Sequence, residues 1–147
     1  MKKYLVILFA IAIMISACSS AESAPSLTGT TWKLTSYGRV DSLNPVVAEE
    51  GDLTLGTDGR YTGISACNEF SGTYEVKGNQ IIFGPWDSGS KFCPEPQMTQ
   101  ESTVYDTLSN HTVDYKIEGN TLTITRPLSE TAGLVLVFEA VGNSTGN

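Results

Sequence analysis

A chain of 147 residues, 40% of them hydrophobic, is long enough for one domain with a real core and too short for two. Its net charge of −7, with 16 acids against 9 Lys and Arg, argues against binding to a nucleic-acid backbone and against docking on anionic lipid by charge. Three cysteines and a single histidine leave few ways to assemble a metal or nucleophile site.

The chain opens Met1-Lys2-Lys3, continues as an uncharged run from Tyr4 to Ala17, and reaches Cys18. A basic start before a short apolar run is the pattern of a signal peptide, and 14 residues are too few to span a bilayer. Ile15-Ser16-Ala17-Cys18 resembles the bacterial lipobox, in which small residues precede a cysteine that is acylated and becomes the mature N-terminus. The expectation is a lipoprotein signal peptide over 1–17, a lipid anchor on Cys18 that holds the protein at a membrane, and a flexible tether over 18–26. Ser19 stands where inner-membrane lipoproteins often carry Asp, so the resemblance implies the outer membrane in a diderm host. Loss of Lys2 and Lys3 takes the net charge from −7 to −9. With Cys18 acylated in an exported protein, Cys67 and Cys93 remain as a pair, and a Cys67–Cys93 disulfide is expected.

From Leu27 the chain reads as a half-buried first strand, with Trp32, Leu34 and Ser36 on one face and Thr31, Lys33 and Thr35 on the other. Residues 38–51 lack periodicity and predict a long irregular connection pinned by Val46 and Val47. Thr57-Asp58-Gly59 and Lys77-Gly78-Asn79 each sit between alternating segments and predict two hairpins. Between them, Ile64 to Tyr74 joins two strands through Cys67, with Asn68 suited to a sharp left-handed turn and Gly72 to a close backbone approach. Cys67-Asn68 reads first as a staple plus a turn residue, and only second as a thiol with an amide helper. After the loop at Gly84–Ser90, Pro94-Glu95-Pro96 opens a helix, with Met98, Glu101 or Ser102, Tyr105 and Leu108 on its inner face. Gly119-Asn120 predicts a third hairpin, and 133–140 is apolar on both faces, as in a central or closing strand.

The expected fold is mainly β (α+β), with about eight short, mostly antiparallel strands in a barrel-like sheet and one α-helix near residues 95–109. One domain over 27–140 would be followed by a disordered tail over 141–147.

Leu27-x-Gly29-Thr30-x-Trp32-x-Leu34, then Cys67-Asn68-x-Phe70-x-Gly72-x-Tyr74, then Cys93 ahead of the helix, resemble the META domain, the family of HslJ-like heat-shock lipoproteins. The resemblance covers roughly Leu27 to Phe138, with Ala66 standing where the family usually has glycine. It implies a compact β-rich fold with one helix, an envelope location and a link to stress tolerance, and it carries no catalytic residue.

No Gly-x-Ser-x-Gly elbow or P-loop occurs, and His111, the one histidine, reads as a helix-end residue. Glu49, Glu50 and Asp52 are the candidate carboxylates for calcium or for acid–base chemistry, and read more simply as a solvated loop. The leading expectation is a monomeric, non-enzymatic envelope lipoprotein without cofactor or metal, which binds or stabilises an envelope protein partner. The alternative is a lipocalin-like carrier of a small apolar ligand. Gly29-Thr-Thr-Trp32 is similar to the lipocalin Gly-x-Trp start, with one extra residue, and a barrel of this size can hold one ligand.

Overall fold

The computed structural model describes residues 24–47 and 51–141; Cys18, the expected signal peptide, Glu49, Glu50 and residues 142–147 lie outside the described residues. The elements are β1 (Thr31–Arg39), β2 (Ser42–Pro45), β3 (Asp52–Leu55), β4 (Arg60–Ile64), β5 (Glu69–Lys77), β6 (Gln80–Phe83), β7 (Asp87–Ser88), α1 (Gln97–Leu108), β8 (Thr112–Glu118), β9 (Thr121–Pro127) and β10 (Gly133–Val141).

Eight strands close an antiparallel barrel in the order β1-β3-β4-β5-β6-β8-β9-β10, with β10 pairing back onto β1. Closure removes the open edges of the sheet. The two further strands extend the wall locally, β2 on β1 and β7 on β5. All three expected hairpins form: β3–β4, β5–β6 and β8–β9. β10 is the closing strand, and it runs through Val141, one residue beyond the expected boundary.

Trp32, Leu53, Leu55, Tyr61, Ile81, Leu108, Leu122, Ile124 and Leu136 have no exposed surface at all. Alternation along each strand sends these side chains inward, apart from Leu108, which comes from α1. On β1 the register shifts between Leu34 and Ser36, so the inward sequence is Trp32, Leu34, Tyr37, and the expected inward Ser36 is displaced. The bulge adds one residue and reverses the parity of everything beyond it.

Because neighbouring strands alternate in direction, the tight turns at 56–59, 78–79 and 119–120 all lie at one end of the barrel. The chain also enters there, where the Gly29 N–H donates to the Leu55 carbonyl at 2.8 Å. The remaining connections, 40–51, 65–68, 84–111 and 128–132, collect at the other end. α1 closes that end, packing against β10, β1, β8 and β9. Its buried residues are Gln100, Val104, Thr107 and Leu108, whereas Met98 is only half-buried and Tyr105 is exposed. The inner face is therefore rotated from the expected one, and a polar side chain sits in its middle.

Candidate functional site

The first part of the stretch from Ile64 to Tyr74, residues 64–70, helps build the closed end. A tight turn joins β4 to β5, with both the N–H and the hydroxyl of Ser65 donating to the Asn68 carbonyl at 3.1 Å. Among the described residues Asn110 is the one non-glycine with positive φ, so neither Asn68 nor Ala66 adopts the left-handed conformation expected of Asn68. Asn68 acts through its side chain instead.

Asn68 is only 2% exposed, and its amide behaves like a piece of strand. Its Oδ1 accepts from the Lys91 N–H at 2.9 Å, while Nδ2 donates to the Lys91 carbonyl at 2.9 Å. The same Nδ2 donates to Glu101 Oε1 on α1 at 2.7 Å, which leaves no hydrogen of the amide without a partner. Two residues past Lys91, the expected Cys67–Cys93 disulfide ties the same loop to the same turn, with Cα atoms 6.5 Å apart. Cys67 and Asn68 are thus the staple and the clamp of one loop.

A second amide does comparable work deeper in. Gln100 is fully buried; its Nε2 donates to the Ser65 carbonyl at 2.8 Å and its Oε1 accepts from the Val47 N–H at 3.0 Å. One side chain of the helix therefore holds the connections before β3 and before β5. Sequence reading passed over Gln100, although the spacing Gln100, Val104, Thr107, Leu108 is that of a helix face.

Phe70 and Gly72 of the motif support this hub. Phe70 stacks on Trp86 at 4.0 Å between ring centroids, and Trp86 meets Tyr105 of α1 edge-on at 5.5 Å. On the inner side, Tyr61 packs against both Phe70 and Phe83. Gly72 is the close approach expected of it: a Cβ there would stand 2.5 Å from the Tyr61 ring and 2.6 Å from the Pro85 carbonyl. Burial pushes the Tyr61 hydroxyl up to about 12. At the turn end, Tyr74 donates to the Gly56 carbonyl at 2.6 Å and Trp32 Nε1 to the Leu27 carbonyl at 3.1 Å, while Gly29 takes a φ of +77°. The motif residues are thus divided between the two ends rather than brought to one site.

Beside the Asn68 clamp lies an open cleft of about 590 Å³, between the outer face of β3–β5 and the strap 87–91. Its walls include Asp52, Glu69, Asp87 and Lys91. Burial raises the Asp52 carboxyl above its ordinary value, opposed by the Ile64 N–H that donates to it at 3.2 Å. Among the described residues no three His, Cys, Asp or Glu side chains are grouped to hold a metal. His111 follows α1, where burial and then Arg126 lower its pKa, against Asp106.

The profile of the META domain matches residues 25–141, nearly all of the described chain. The chain belongs to the META domain family. The fold is similar to that of an NMR structure of a protein from Burkholderia xenovorans, 21% identical, aligned over 78% of this chain and 83% of that one with a TM-score of 0.60. A second NMR structure is 19% identical, with 75% and 87% covered and a TM-score of 0.56. At such identities the likeness speaks for the shared barrel. No curated protein matches the chain.

Proposed function

We propose that this META-domain protein is a lipid-anchored lipoprotein of the cell envelope that binds or stabilises other envelope components under stress, without catalysing a reaction. The observation that carries the reading is Ile15-Ser16-Ala17-Cys18 at the end of a short apolar run, a few residues ahead of the META domain. The non-catalytic part is supported by the state of the most reactive pair in the motif: Cys67 is in a disulfide and Asn68 has its amide fully engaged. The carrier reading is the weaker one. Zero exposure of Trp32, Tyr61, Leu122 and Leu136 leaves no ligand-sized void against them, and the cleft lies outside the barrel.

The test is the intact mass of the protein extracted from its native membrane, before and after reduction. Cleavage ahead of Cys18, added acyl mass and a gain of about 2 Da on reduction are expected. An unlipidated chain that keeps residues 1–17, or one recovered only from the soluble fraction, would overturn the anchored reading.

A further inference from the structure

The two ends of the barrel differ in what they show to solvent. Among the described residues eight large apolar side chains are exposed, and six of them belong to the connections at the helix-closed end: Val40, Leu43, Val47, Phe92, Tyr105 and Leu128. Phe92 is the extreme case at 86% exposure. A phenylalanine on a loose loop would carry little information, but Phe92 is fixed on both sides. Lys91 before it is clamped by two hydrogen bonds to Asn68, and Cys93 after it is bonded to Cys67. With its backbone pinned on both sides, Phe92 is presented at a fixed place, so little backbone entropy is lost when a partner covers it.

Resting on the anchored reading above, we propose that the helix-closed end, centred on Phe92, docks an envelope protein whose apolar pocket is rimmed by Lys or Arg. Net charge argues for a protein rather than an anionic bilayer, with 16 acids against 9 Lys and Arg in the sequence. The chain also enters the barrel at the end opposite Phe92, so its described N-terminal residues do not cover this face. Charge argues for the basic rim: Asp87 and Glu95 lie on the same loop, and Glu69 and Glu101 adjoin its clamp, against Lys91.

The test places a benzophenone-bearing phenylalanine analogue at position 92 of the full-length protein, and as a control at the exposed position 76 on the turn end. Both are irradiated in whole cells. The expected result is a discrete protein adduct at 92, at least about fivefold above that at 76, whose cross-linked peptide is apolar and flanked by Lys or Arg. In isolated envelopes the yield should fall about fivefold with Glu95→Lys, and wild-type protein should compete it away while Phe92→Ser should not. An adduct to lipid or glycan, an adduct with a second copy of this chain, equal yields at 92 and 76, or no adduct would each overturn the proposal. Intact mass on the same sample separates the two ideas: a chain without acyl groups refutes the anchor whatever is cross-linked, and an acylated chain with no adduct at 92 refutes the docking face alone.

Discussion

Replacing Asn68 by Asp keeps the shape of the side chain and changes one nitrogen into oxygen. In the native protein that nitrogen lies 2.7 Å from Glu101 Oε1 and 2.9 Å from the Lys91 carbonyl, donating to both. A hydrogen bond to a charged acceptor contributes about 1.5–3 kcal/mol, and a neutral one about 1 kcal/mol. With both lost and an ionised oxygen facing two acceptors, Asn68→Asp should destabilise the domain by about 3–5 kcal/mol at pH 7. The sign with pH is fixed. Facing two acceptors, the carboxyl introduced at 68 gives up its proton less readily in the fold, so its folded pKa lies above the unfolded value of about 3.9. The charge-repulsion part of the penalty is therefore absent below the unfolded pKa and complete above the folded one. At about pH 3 an O–H donor toward Glu101 returns, and the variant should come within about 1.5 kcal/mol of the native protein. Urea unfolding of both proteins at pH 7, 5 and 3, with the disulfide intact, measures this directly. A penalty below about 1 kcal/mol at pH 7, or one that does not change with pH, would refute the orientation of the amide and its role as a clamp.

Three further outcomes follow from the same geometry. Cys67→Ser with Cys93→Ser should cost about 3.5 kcal/mol in the chain-entropy account, since the bridge spans 26 residues, and urea midpoints of the oxidised protein and the variant measure it. Gln100→Met preserves volume but leaves the Ser65 carbonyl and the Val47 N–H without partners, for a loss of about 2–4 kcal/mol read by thermal unfolding. Asp52 has its folded pKa raised, chiefly by burial, so its ionisation opposes folding: the cost is absent below the unfolded pKa and full above the folded one. Asp52→Asn should therefore raise the melting temperature at pH 7 and leave it unchanged near pH 3, with the Asn oxygen still accepting from Ile64; equal shifts at both pH values would contradict this.

The barrel wall was legible because its signals are local. Gly59, Gly78 and Gly119, all with positive φ, sit in turns that the sequence marks plainly, and β10 is apolar on both faces as a closing strand should be. The closed end was not legible, because its logic is non-local. β2 is exposed along its whole length and shows no alternation, and β7 has two residues, too few for any period. The bulge after Leu34 replaced Ser36 by Tyr37 in the core without a sequence mark. On α1 the apolar residues Met98 and Tyr105 drew the expected stripe, but the helix caps the strand ends and also meets the loops before β3 and β5, so Gln100 was more useful inside than either. Asn68 was placed in the right turn for the wrong reason, since its partners are 23 and 33 residues away.

That non-local logic explains why the cysteine-asparagine motif lies where it does. Strands in a closed barrel satisfy one another's backbone groups, and the three hairpin turns at the end where the chain enters add little that needs a partner. A single helix laid over the open end cannot do the same for the long loops that meet there, because its own backbone bonds are internal. Side-chain amides fill that role: Asn68 pairs with Lys91 as a neighbouring strand would, and Gln100 bridges Val47 and Ser65. The disulfide then fixes the loop after β7, which β5 pairs only at Asp87 and Ser88. Closing the barrel in this way makes its most irregular surface also a rigid one, and a rigid irregular surface bearing Phe92 is what a recognition face requires.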